Sequence, residues 1–216
     1  MSAAEVRVLG PVEVVGDHGP VAMPAKHRRL LAALVVARGR PSGVDELVDA
    51  LWGETPPASA RKLLQIYVSA LRKALPEPLA IETHRGSYAL AVGADDLDAS
   101  RFERLVTESA AAQRDNPALA ASLAEQALGL WHGRAYGVLA YDDLWRVEAE
   151  RLEELRLVAL EERIAARIAL GTHAEVLGEA LVLAAEEPLR ERAHELAMLA
   201  LYRSGRQSEA LEHYAT

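Results

Sequence analysis

Residues 58–75 sort almost without mixing when read as a helix. At about 100° per residue, Ala60, Leu63, Leu64, Tyr67, Val68, Leu71 and Leu75 share one arc. Arg61, Lys62, Gln65, Ser69, Arg72 and Lys73 gather opposite them, within roughly a third of the circumference. No acidic residue stands between Glu54 and Glu77. The apolar back requires a second layer to lie against. The front is cationic, carries hydrogen-bonding groups and lacks countercharge, which is the chemistry that meets phosphates and base edges in a DNA groove. A solvated charged face is the competing explanation, although such faces usually mix both signs.

The rest of the chain bounds what this helix can serve. Its 216 residues allow one large domain or two modest ones, and with 50% hydrophobic and 26% charged residues it can bury a real core. The absence of cysteine excludes a disulfide framework and a thiolate metal site. The N-terminal residues show no secretory pattern, and no apolar run approaches the ~20 residues that span a bilayer, so a soluble, cytoplasmic protein without membrane contact is expected. The net charge of −8 is unevenly spread. Residues 1–93 hold 11 Lys and Arg against 9 Asp and Glu, whereas residues 94–216 hold 13 against 23. All three lysines lie in the first part. Two domains with different partners are expected, with any DNA contact made through the first.

Residues 1–93 change period repeatedly. Val6–Leu9 and Val12–Val15 read as short strands separated by Gly10-Pro11, with Pro20–Met23 as the candidate third. A helix starts at Pro24 or Ala25 and carries Leu30, Leu31, Leu34 and Val35 on its inner face. Ser42 reads as the N-cap of a short helix bearing Leu47, Val48 and Leu51. Pro56-Pro57 and a candidate cap, Ser59, precede the basic helix. Ile81 and Thr83, then Tyr88, Leu90 and Val92, alternate about a tip at His84-Arg85-Gly86-Ser87. This order predicts a winged helix-turn-helix, with the third helix in the major groove and the hairpin beside it.

Residues 94–216 are helical in period, with breaks at Asn116-Pro117, Gly133, Gly171, Pro188 and Gly205. Gly171–Leu177 aligns with Gly205–Leu211 at a spacing of 34, and the pairs Ala159/Ala193 and Ala166/Ala200 match upstream. Two helices per 34 residues is tetratricopeptide spacing, a design that presents grooves to other protein segments. The stretch from Asn116-Pro117 through Ala120, Leu123, Ala127 and Leu128 looks like the second helix of an earlier, degenerate unit. The Glu- and Arg-rich piece from Trp145 to Gly171 is expected to be a solvated face, and Asp95-Asp96-Leu97-Asp98 a solvated linker. The expected architecture is an α+β winged helix-turn-helix domain (1–93) followed by an all-α tetratricopeptide-like helical domain (94–216).

Several motifs together resemble a known family. Val8–Val14, Lys26-His27-Arg28, Leu47–Glu54, Pro56–Arg61, Leu64–Ser69 and Leu71-Arg72-Lys73 look like the DNA-binding domain of the antibiotic-pathway regulatory proteins of actinomycetes. Leu152–Arg156, Pro188–Glu191 and Leu201–Gln207 resemble that family's bacterial transcriptional activation domain. The resemblance covers nearly the whole chain and keeps the family's order. It implies an OmpR-type winged domain that binds tandem direct repeats in double-stranded promoter DNA as side-by-side protomers or a homodimer. It also implies recruitment of RNA polymerase holoenzyme to secondary-metabolite genes, and a longer protein continuing past Thr216 into ATPase and sensor modules. The chain departs from the family pattern at His27, Ala70 and Ser87.

Roles follow for individual residues. Arg72 and Lys73 are expected to contact backbone or bases, and Gln65 and Ser69 base edges or phosphate. Arg61 and Lys62, near the helix start, are placed to hold phosphate with the helix dipole. Arg85 at the hairpin tip suits the minor groove or backbone. Lys26, Arg28 and Arg29 suit flanking phosphate or simple solvation. Trp52, Trp131 and Trp145 are expected to anchor packing. No phosphate-binding loop, nucleophile elbow, paired zinc-ligand histidines or dinucleotide fingerprint occurs, so neither an enzyme nor a cofactor is expected. The rival function is a protein-interaction adaptor that works through the helical half without binding DNA.

Overall fold

The computed structural model describes residues 4–214. Their packing divides into two compact units, one formed by residues up to Arg101 with Leu130–Glu153, the other by Phe102–Gly129 with the chain from Glu154 on.

In the first unit, β1 (Glu5–Arg7), β2 (Glu13–Gly16) and β3 (Gly19–Pro20) form an antiparallel sheet in that order. The expected third strand is thus shorter and earlier than Pro20–Met23. Gly19 pairs with Gly16, the Val21 N–H still reaches the Val14 carbonyl (2.8 Å), and Pro24 then begins the next helix. That helix, α1 (Ala25–Val36), buries Leu30, Leu31, Ala32, Leu34 and Val35. It packs with α2 (Val44–Trp52) and α3 (Ala60–Ala74) as a three-helix layer. A second sheet, β4 (Ser42–Gly43), β6 (Ser87–Ala91) and β5 (Ala80–His84), in the order β4-β6-β5, forms the wing.

Ser42 does not cap α2. Its backbone pairs with Tyr88 across β4 and β6, and the N-cap is Gly43, whose N–H donates to the Glu46 carboxylate at 2.9 Å. Both residues of β4 pair with the wing, and α2 starts directly after them, so the capping position falls one residue later than the sequence suggests, on Gly43.

The segment 95–98 is no solvated linker. Leu97 pairs in parallel with Val6, and the Val6 N–H reaches the Asp96 carbonyl at 2.8 Å. Asp98 is buried, and its carboxylate accepts N–H bonds from Val8 (2.9 Å), Leu9 (2.9 Å) and Ala99 (2.7 Å). Val8 and Leu9 have left the β1 ladder for the core, so their N–H groups need such a partner. Their carbonyls are met by the N–H groups of Tyr136 (2.7 Å) and His132 (2.8 Å). Trp145 is fully buried in this unit beneath the Arg29 guanidinium, whose carbon lies 4.6 Å from the indole centroid.

The second unit is built from α4 (Asp98–Ala112, counted here from Phe102), α5 (Pro117–Leu128), the later part of α6 (Asp143–Ala169), α7 (His173–Glu186), α8 (Glu191–Arg203) and α9 (Gln207–Tyr214). Asn116 caps α5 through its side-chain oxygen (3.1 Å from the Leu119 nitrogen), with Pro117 in the first turn. The 34-residue repeat is physical. Gly171 (φ +82°) ends α6 and Gly205 (φ +77°) follows α8, both in the left-handed region where glycine is unstrained. The matched Ala159, Ala193, Ala166 and Ala200 are all fully buried, small where helices approach closely. Ala193 and Ala200 share a cluster with Ile164, Ile168, Leu183 and Leu196, while Ala166 packs with Ala120 and Ala121.

The charges of α6 differ from expectation. Beyond Glu153 several of them reach neighbouring segments: the largely exposed Glu154 and the buried Glu161 bind Arg190, Arg163 binds Glu179, and Arg167 binds Glu125. Flanked by α5 and α7, this part of α6 has partners on both polar sides. Among the described residues no helix is long and apolar enough to cross a membrane.

Candidate nucleic-acid interface

The candidate interface is the outer face of α3 together with the hairpin tip between β5 and β6. Leu64, Val68 and Leu71 anchor α3 to the core, and its Tyr67 ring packs on His27 (centroids 5.0 Å apart) and stacks on Trp52 (6.0 Å). With the back fixed in this way, Arg61, Lys62, Gln65, Ser69, Arg72 and Lys73 are all exposed on one side, as the periodicity predicts. Lys62, Gln65, Ser69 and Lys73 have no hydrogen-bonding or ionic partner among the described residues. Arg61 pairs with Asp45 at 2.6 Å, but both side chains are more than 70% exposed. Such a pair contributes about 0–1 kcal/mol, so a phosphate can displace Asp45.

Arg72 has a structural task. Its Nε–H donates to the Ile81 carbonyl (2.8 Å), its Nη2 donates to the Thr83 hydroxyl (2.6 Å), and its guanidinium carbon lies 5.9 Å from the Tyr88 ring centroid. It therefore ties α3 to strand β5 of the wing. Arg72→Ala is expected to loosen the hairpin by about 1–2 kcal/mol, read as roughly five- to thirtyfold faster amide exchange in residues 80–91. Exchange unchanged in those residues would show that the guanidinium anchors nothing.

Arg85 and Gly86 form a two-residue turn, both at positive φ (47° and 89°), closing the pair His84–Ser87. These are the signs of a type I′ hairpin turn, in which non-glycine residues are strained. The strained residue here is an exposed arginine at the tip.

The α1 cations divide. Arg28 is exposed and makes a long contact to the Met23 carbonyl (3.3 Å). Lys26 instead donates to the Leu51 carbonyl and lies over the Trp52 ring, 5.4 Å from its centroid. Burial, then the neighbouring Arg29 charge, lowers its pKa below the usual lysine value. Arg29 donates to the Ala50 carbonyl (2.8 Å) and to Asp142 (2.8 Å). Together Lys26 and Arg29 satisfy carbonyls at the C-terminus of α2, where cations are favoured.

One residue of the face is absent from the sequence-derived set. Ile66, 52% exposed, shares its side of α3 with Lys62, Ser69 and Lys73. The signal available in the sequence was its place on the helical wheel, just outside the apolar arc.

The chain is similar to known proteins over nearly its whole length. Residues 18–88 match the family described as "Transcriptional regulatory protein, C terminal", and residues 97–216 match "Bacterial transcriptional activator domain". The chain is 43% identical over 215 residues to the regulatory protein AfsR of Streptomyces coelicolor, covering 96% of this chain but 21% of AfsR. It is 35% identical to the regulatory protein DnrI of Streptomyces peucetius, covering 97% of this chain and 82% of DnrI. In structure it resembles Mycobacterium tuberculosis EmbR, solved with a low-affinity phosphopeptide, at a TM-score of 0.91 and 32% identity over 100% of this chain and 59% of EmbR.

Proposed function

The chain belongs to the actinomycete family of antibiotic-pathway regulators, which joins an OmpR-type winged domain to a bacterial transcriptional activator domain, and on that premise we propose that it is a non-catalytic, sequence-specific activator acting on promoter DNA in the cytoplasm. The α3 helix enters the major groove, where Gln65 and Ser69 reach base edges while Arg61, Lys62 and Lys73 hold phosphate. Arg85 extends from the wing toward the neighbouring minor groove or backbone. Two or more copies bind side by side on direct repeats and recruit RNA polymerase holoenzyme to secondary-metabolite genes. The observation that carries this reading is the exposed face of α3, with four polar or cationic side chains unpartnered among the described residues and no carboxylate within the helix.

Selection of genomic fragments on the full chain, followed by footprinting, tests it. Direct repeats protected at one-turn spacing are expected. Affinity should fall with salt, and Lys73→Ala should reduce the log–log slope by about 0.9, the share of one phosphate. Gln65→Ala should relax preference at one base pair by about 1–3 kcal/mol. Failure to enrich any fragment at low salt would favour the adaptor alternative instead.

A further inference from the structure

We propose that Ile66 is a thymine reader, its side chain making an apolar contact with the 5-methyl group of a thymine in the major groove; this rests on α3 entering that groove. The other large apolar residues of α3 have homes: Leu64, Val68 and Leu71 are buried, and Leu63 and Tyr67 half-buried. Ile66 alone among them is more than half exposed. Its helical neighbours at i−4, i+3 and i+7 are Lys62, Ser69 and Lys73, and its i+4 neighbour is the single-carbon side chain of Ala70. Packing explains none of this exposure. Helix propensity opposes it, because a β-branched side chain loses rotamer freedom in a helix.

The same stiffness suits recognition. With χ1 already restricted, Ile66 has little further rotamer entropy to lose on contact. Ala70 leaves the approach to Ile66 open along the helix surface. The flanking lysines are drawn to the phosphates and hold this face against the duplex. Within the major groove every base edge presents hydrogen-bonding atoms, and thymine adds the one methyl group. An apolar side chain among cations therefore has a single apolar partner there. Gln65 and Ser69 read hydrogen-bonding edges, while Ile66 separates thymine from the other bases by its methyl.

The test uses the full chain and the duplex it enriches from a random library, with each thymine in turn replaced by deoxyuridine, which lacks only the methyl. One or two positions are expected to weaken wild-type binding about fourfold, the equivalent of about 0.8 kcal/mol for one buried methyl. Ile66→Ala should bind the unmodified duplex more weakly by a similar factor and lose the discrimination at those positions. Its helical circular dichroism and salt slope should match the wild type, because neither core nor phosphate contact is removed. Wild-type indifference to every replacement overturns the assignment while leaving DNA binding intact. So does Ile66→Ala with the discrimination retained, since another group then reads the methyl. A library from which no duplex is enriched removes the DNA reading and this inference with it.

Discussion

Arg190→Ala is expected to destabilise the helical unit by about 3–5 kcal/mol, although the residue lies in a connection between helices. Its guanidinium grips the buried Glu161 carboxylate through Nε–Oε1 (2.5 Å) and Nη2–Oε2 (3.2 Å), and its Nη1 reaches Glu154. The hydrogen bond to Glu161 is foremost in raising the Arg190 pKa above its ordinary value, against the effect of burial. Removing the guanidinium leaves Glu161 as a buried charge without its partner, and that accounts for most of the loss. Glu154 is largely exposed and should matter little when truncated. Arg190→Lys should restore only part of the stability, because an ammonium cannot reproduce the fork. The decisive comparison is the double variant Arg190→Leu, Glu161→Leu. Urea unfolding followed by far-ultraviolet circular dichroism should place it close to wild type, since both buried charges are then gone. A double variant as unstable as Arg190→Ala would assign the loss to packing of the connection instead of the stranded carboxylate.

Glu161 also shows where sequence reasoning stops. Periodicity identifies α6 and its charged positions, but i,i+3 and i,i+4 spacing carries no information about neighbouring helices. The elements that were legible depend on local period or turn chemistry. The segregated faces of α3, the Arg85-Gly86 turn, the Asn116 cap and the Gly171/Gly205 repeat all belong to this class. What was hidden depends on distant partners. β4 is two residues long and exists because Ser87 and Tyr88 lie beside it. Lys26 reads as a surface cation, yet its stem reaches the end of α2, and the position of that carbonyl follows from helix packing alone. Arg72 shows the same limit on the candidate interface itself: the sequence places its side of the helix, while the wing determines what the guanidinium holds. Residues 130–153 carry no signal pairing them with Val8 and Leu9.

Asp98 is where that hidden pairing carries the greatest energy, and Asp98→Ala should cost the first unit more than about 4 kcal/mol, enough to unfold a marginal domain. Three buried N–H groups, those of Val8, Leu9 and Ala99, lose their acceptor together. The same burial makes the site sensitive to pH. Desolvation raises the Asp98 carboxyl to about 6 despite the three N–H donors that favour its ionised form, and the Glu5 charge adds to the rise. The folded state therefore holds this proton more tightly than the unfolded chain, whose value is near 3.8. Its stabilising contribution is complete below about 3.8 and is lost as pH rises through about 6. Asp98→Asn carries no titrating group, so the stability of wild type relative to this variant should increase as pH falls from 7 to 4. With about 2 pH units between the two states at about 1.4 kcal/mol each, the change is on the order of 3 kcal/mol. Other carboxylates largely cancel in the difference, which makes it a cleaner measure than either stability curve. If that difference stays flat while the Asp98 carboxyl carbon titrates near 3.8 by NMR, the backbone donors fully offset desolvation. Asp98 would then stabilise the unit as a fixed anion at neutral pH.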